Sequence, residues 1–143
     1  MKKTFKKYAS LFLLVLVITA SFSLTSCKKE ESTTVANDVE LSCVMLITEN
    51  AAQGETLLDY MNKLKDREEL DFIIENGMVT SINGTKNTDN KYWMLYTSDA
   101  DNLNPAWGTM EHGGKECGSA SFGADKLPLK KGELYIWAYK AVN

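Results

Sequence analysis

The chain has 143 residues, enough for one domain. Its 44% hydrophobic content, with three Trp, six Tyr and five Phe against two Pro, fits a folded unit with a core rather than a disordered tail. The formal charge of −3 is spread unevenly, because Lys2, Lys3, Lys6 and Lys7 precede every acidic residue, so the remainder is distinctly acidic. That balance argues against nucleic acid as a partner, and the length argues against a two-domain enzyme.

The basic start is succeeded by Leu11 to Leu24 (LFLLVLVITASFSL), an apolar run without charge and the layout of an export signal. The uncharged stretch from Tyr8 to Ser26 is close to the roughly 20 residues of a spanning helix. The end of the run favours cleavage, since Leu24-Thr25-Ser26-Cys27 resembles the bacterial lipobox, a Leu and two small residues before a Cys that is lipidated. Residues 1–26 are therefore expected to be a lipoprotein signal peptide. Cys27 would be the lipidation site, anchoring the protein on the extracytoplasmic side of the cell membrane through buried acyl chains. Lys28 to Asp38 (KKEESTTVAND) is polar and lacks aromatics, so residues 27–38 read as the lipidated Cys and a flexible tether, and residues 39–143 as the domain.

Within that domain, Val39 to Thr48 (VELSCVMLIT) predicts a first strand. Thr56-Leu57-Leu58-Asp59 fits a capping box, and Leu57, Leu58, Met61 and Leu64 recur at helical spacing, a core-facing stripe. Phe72 and Ile74 then alternate up to Asn76-Gly77, the dipeptide that supplies the positive φ of a tight hairpin. The second arm, Met78 to Ile82, ends at another Asn83-Gly84. Lys91 to Thr97 (KYWMLYT) and Glu133 to Val142 (ELYIWAYKAV) read as strands, the latter with Tyr135, Trp137 and Tyr139 on one face and Leu134, Ile136 and Ala138 on the other. Between them Ser98 to Lys131, rich in Gly and holding both prolines, is expected to be a long functional loop, with a short strand near Ser119 to Phe122. The prediction is an α+β fold, a single helix packed on a mostly antiparallel sheet, with this long Gly-rich loop before the last strand.

Four segments in order, Gly54-Glu55-Thr56-Leu57-Leu58-Asp59, Met78 to Gly84 (MVTSING), Tyr92-Trp93-Met94-Leu95 and Leu129 to Tyr139 (LKKGELYIWAY), resemble the transcobalamin C-terminal-like domain family, which recurs in bacterial surface lipoproteins. The resemblance covers about residues 39–143. It implies a β-grasp-like sheet and, by analogy with the animal vitamin B12 carriers, a domain that closes over one face of a corrin ring. Carried over by position, Tyr92-Trp93-Met94-Leu95 and the segment after it match the region that approaches cobalamin in those carriers. The carriers' large helical domain has no counterpart among these 143 residues.

The aromatic residues suit a planar apolar ligand: Trp93, Tyr96, Trp107, Phe122 and Trp137 offer faces for stacking. The competing reading makes them core and a cross-strand ladder, and it is favoured for Trp93 and Trp137 because both lie inside strands. The candidate ligand site comprises Tyr92, Trp93, Leu95, Tyr96, Trp107 and Phe122. Glu111-His112 and Cys117 do not make a metal site: the chain has one His, and His-x4-Cys matches no common zinc pattern. With Cys27 lipidated, Cys43 and Cys117 remain, either as a disulfide permitted in an exported protein or as a buried and an exposed thiol. No Ser-His-Asp set or phosphate-binding Gly loop is present, so no enzyme and no required cofactor is expected. The expectation is an anchored lipoprotein that binds a small molecule, with a cobalamin-like corrinoid as the specific candidate, and passes it to a membrane transporter. The alternative is a non-enzymatic cell-surface module that binds a protein or polymer. A shaped pocket would favour the former and a flat aromatic patch the latter.

Overall fold

The computed structural model describes residues 39–47 and 51–142. The predicted signal peptide (1–26), the lipidated Cys27 and the tether (28–38) lie outside the described residues. Among the described residues no helix is long and apolar enough to cross a membrane.

The architecture centres on β8 (Leu134–Ala141), which sits between β1 (Val39–Leu46) and β5 (Lys91–Thr97) in a five-stranded sheet of order β1-β8-β5-β7-β6, with β7 at Lys115–Ala120 and β6 at Leu103–His112. Every pairing is antiparallel. The period-two pattern of β8 is realised on both faces, and all six side chains from Leu134 to Tyr139 are buried. On one face, rows run across three strands: Leu41, Tyr139 and Trp93, then Cys43, Trp137 and Leu95. These join the main core with the helix, whereas Leu134, Ile136 and Ala138 join Tyr96 and Cys117 in a second cluster.

The helix α1 (Leu57–Asp66) starts where the capping box places it. The Thr56 hydroxyl accepts from the Asp59 amide, and the Asp59 carboxylate accepts from the Thr56 amide at 2.9 Å. That backbone hydrogen bond, with one from the Thr56 hydroxyl, holds the Asp59 carboxyl below its ordinary range. Leu57, Met61 and Leu64 are buried against the aromatic face of the sheet, as their spacing predicts. The helix ends with Glu68 in the left-handed region (φ 58°), while the amides of Glu68 and Glu69 donate back to the carbonyls of Lys65 and Leu64. This is a Schellman closure in which Glu occupies the place usually taken by Gly.

A second, three-stranded sheet is formed by β2 (Phe72–Glu75), β3 (Met78–Ile82) and β4 (Thr85–Lys86). Its two turns are the Asn-Gly pairs read from the sequence, with φ of 53° and 80° at Asn76 and Gly77 and 47° and 82° at Asn83 and Gly84. Phe72, Val79 and Ile82 extend the main core from this sheet.

The fold is thus α+β and mostly antiparallel, but the expected long Gly-rich loop is largely strand. β6 and β7 form a hairpin closed by Gly113-Gly114 (φ 58° and 76°), with His112 opposite Lys115. The apparent breakers Pro105 and Gly108 fall where the register jumps from Asn104↔Ser119 to Thr109↔Gly118. The chain from Pro105 to Gly108 therefore bulges out of the ladder, with no paired residue on β7, which is where a strand tolerates Pro. Gly108 takes a φ of 122°, and a Cβ there would lie 3.5 Å from the Tyr96 hydroxyl. The predicted short strand near Ser119 to Phe122 is instead the end of β7.

The Cys43–Cys117 bridge is not formed, because Cys117 is a free thiol. Two strands, β8 and β5, separate β1 from β7, at about 4.8 Å per step, and the two cysteines belong to clusters on opposite sheet faces. Nor is Cys117 exposed, as the other reading had it. It is fully buried, and burial pushes its thiol up to about 11.

Candidate functional site

The cavity arises where the five-stranded sheet splays. β5 is paired with β8 along its whole length but meets β7 only at Tyr96↔Ser119 and Thr97↔Gly118. Beside the half of β5 nearest Lys91, the main core is left open to a cavity of about 760 Å³. Its floor is Trp93, Leu95 and Trp137 on the sheet. One wall is the β2–β3 hairpin, through Ile74, Met78 and Val79, and the others are Leu58 on α1 and the segment Ser119 to Asp125. Trp107 stands at the rim on the bulge of β6. The volume lies in the range of sites for drug-sized ligands, and the lining is mainly aliphatic and aromatic, as such sites usually are.

Several hydrogen bonds hold these walls in place. Asn87 fixes the hairpin to the sheet, its Oδ1 accepting from the Trp93 amide (2.9 Å) and its Nδ2 donating to the Val79 carbonyl (3.2 Å). The Trp93 indole donates to the Thr85 carbonyl at 2.8 Å, and its ring lies 5.3 Å from that of Tyr139, tilted by 42°. The far wall is stitched to the start of α1, where the amides of Leu57 and Leu58 donate to the carbonyls of Leu127 and Ala124, both at 2.9 Å. These bonds satisfy donors that a helix N-terminus otherwise leaves free. The Ser119 hydroxyl donates to the Trp107 carbonyl at 3.2 Å, tying the bulge to β7.

Of the six residues expected to bind ligand, Tyr92, Trp93, Leu95 and Trp107 line this cavity. Tyr96 and Phe122 are not among its lining residues. Tyr96 is one residue out of phase with Trp93 and Leu95, so the pleat buries it in the opposite cluster, where its hydroxyl accepts from Lys140 at 3.2 Å. Phe122 is exposed beyond the end of β7. Trp137, read from its strand position as core, is both core and cavity floor. The hairpin wall was missed, although Met78, an apolar residue directly after a two-residue turn, is 67% exposed and was the available signal.

The polar cluster around Asp99 is structural. Its buried carboxylate accepts from Asn102 Nδ2 (2.8 Å), from the Asp101 amide (3.2 Å) and from Lys130 Nζ (3.2 Å). Burial pushes the carboxyl up, but those three donors outweigh it and leave it below its ordinary range. Tyr135, whose hydroxyl donates to the Pro128 carbonyl and accepts from the Lys130 amide, is pushed up to about 12 by burial. Among the described residues no group of His, Cys, Asp and Glu could hold a metal ion.

The fold and site together describe an α+β domain with an apolar cavity at the seam of its two sheets. Residues 54–100, which contain α1, the hairpin wall and β5, match the family model described as a domain of unknown function (DUF4430). No curated protein and no solved structure matches the chain.

Proposed function

We propose that the protein is a lipoprotein, anchored at Cys27 and facing the extracytoplasmic side of the membrane, that binds a small molecule between the β2–β3 hairpin and the sheet and delivers it to a membrane transporter without acting as an enzyme. The cavity carries this reading: a concave apolar space of about 760 Å³ with three tryptophans on floor and rim, rather than a flat aromatic patch. The export signal and lipobox carry the location. A transcobalamin-like, β-grasp-like assignment is supported by the family match, since three of the four resembling segments, 54–59, 78–84 and 92–95, lie inside it. A cobalamin-like corrinoid is the specific candidate. A corrinoid exceeds this volume, so one edge would enter while the rest extended past Trp107 and Met78, which are 64% and 67% exposed.

Equilibrium dialysis of residues 28–143 against cobalamin, repeated with Trp107→Ala and Met78→Ala, tests this. Saturable one-to-one retention, weakened several-fold by both substitutions, is the expected result. No retention of cobalamin, with uptake of an environment-sensitive naphthyl dye that both substitutions weaken, removes the corrinoid and keeps the cavity. Retention of neither returns the domain to the protein- or polymer-binding alternative.

A further inference from the structure

Three aromatic residues of β8 face the main core, and their polar atoms are treated differently. The Tyr135 hydroxyl donates to the Pro128 carbonyl at 3.0 Å, and the Tyr139 hydroxyl donates to the Lys86 carbonyl at 2.9 Å. Nearby, Trp93 Nε1 reaches the Thr85 carbonyl. Between the two tyrosines, Trp137 is 5% exposed and forms part of the cavity floor, yet its Nε1 is a buried donor without an acceptor. An indole N–H can only donate, and a buried donor left unpaired is costly and rare. The polar side chains that line the cavity do not supply one, since Asn87, Thr80 and Ser119 bond instead to backbone groups of Val79 and Trp93, Ile73 and Trp107.

The charge of the walls narrows the chemistry of an occupant. Asp125 is the one charged residue among the described residues lining the cavity, and no Lys or Arg lines it. A carboxylate or phosphate would enter an apolar space with no counter-charge and meet Asp125 at its edge. A carbonyl, ether or ring nitrogen would meet neither difficulty.

We propose that the cavity selects neutral groups, whether a whole small molecule or the inserted edge of a larger one, that bear a hydrogen-bond acceptor of the carbonyl type, which accepts from Trp137 Nε1, and that it rejects anionic analogues of the same skeleton. This rests on the cavity being a ligand site. A water-sized sphere does not reach Nε1, so the proposed bond requires the ring edge to turn toward the cavity, which the bound molecule then closes to solvent.

The test uses residues 28–143, which hold every described element and both core clusters, and three probes on one skeleton: methyl naphthyl ketone, isopropylnaphthalene and naphthoate. Binding is followed through the indole N–H signals of Trp93, Trp107 and Trp137 in proton–nitrogen correlation spectra, with Trp137 assigned by its loss in Trp137→Phe. The ketone is expected to bind about tenfold more tightly than the hydrocarbon, naphthoate more weakly than either, and the ketone alone to move the Trp137 signal downfield while that of Trp93 holds. In Trp137→Phe the ketone's advantage should vanish. Equal binding of ketone and hydrocarbon, a Trp137 signal unmoved by bound ketone, or preference for naphthoate overturns the proposal and leaves the cavity reading in place. Failure of all three probes to bind overturns both. If Trp137→Phe fails to fold, loss of the other two signals in Trp93→Phe and Trp107→Phe leaves Trp137 assigned by elimination, and its shift in the unsubstituted chain decides the matter.

Discussion

On its β1 flank, β8 is held in continuous register from Leu41↔Tyr139 to Leu46↔Leu134, and Cys43 and Met45 of that flank share the main core with Leu57, Met61 and Leu64 of α1. On the other flank β5 continues the same rows, but the sheet then makes only two pairs with β7 before β6 bulges. The two flanks use similar residues, with Trp137 and Leu95 belonging to one cross-strand row. What differs is pairing. Continuous pairing brings side chains close enough to be closed over by one helix, and interrupted pairing leaves the same apolar surface facing a cavity. Stability should therefore concentrate on the paired flank and binding on the splayed one.

The strongest way to break this comparison is a matched pair of methionines. Met61→Ala, fully buried in the main core, should cost about 3 kcal/mol in urea unfolding, whereas Met78→Ala at the cavity rim should stay within about 0.5 kcal/mol and weaken probe binding. Equal costs at the two sites would refute the division. Next in size is Asp99→Asn, expected to cost about 2 kcal/mol because three hydrogen bonds to a buried carboxylate are weakened. Since the folded-state value of Asp99 is depressed, its contribution is present above the unfolded value of about 4 and is lost as pH falls through the lower folded value. Unfolding midpoints measured between pH 5 and pH 2.5 should show a drop in the parent chain that is reduced in Asp99→Asn.

Thr56→Ala should cost about 1 kcal/mol by removing the cap. Because the same residue starts the segment that anchors the Ala124 wall, hydrogen exchange at Leu57 and Leu58 should rise with it, and unchanged exchange would separate the cap from the wall. The smallest effect is expected at Glu68→Gly, a gain of about 0.5 kcal/mol from relieving a left-handed non-glycine residue. A thermal melt that moved down would show that the Glu68 side chain contributes something that the backbone argument omits.

Local signals were legible wherever one short segment determines its own conformation. Thr56 and Asp59 sit three apart and satisfy each other's amides, and Asn76-Gly77 and Asn83-Gly84 bring their own positive φ, so the helix start and both turns were readable. The β6–β7 hairpin was not, because Pro105 and Gly108 are breakers by local rules and become harmless only when β7 is present to leave them unpaired. The site was half legible for the same reason. Alternation on β5 places Trp93 and Leu95 on one face, but whether that face meets a helix or a cavity depends on where β7 departs. Tyr96 shows how a one-residue change of phase removes an aromatic from the site altogether.

By itself the sequence determined the α+β class, the capped amphipathic helix, the Asn-Gly turns and the two-faced last strand, since each arises from hydrogen bonds and periodicity within a few residues. Only the tertiary structure decided that Cys43 and Cys117 lie on opposite faces, that the hairpin of Met78 closes one wall of a cavity, and that Trp137 holds a buried N–H with no acceptor. Those depend on the order of strands and the place where pairing stops, which are set by contacts between residues far apart in the chain.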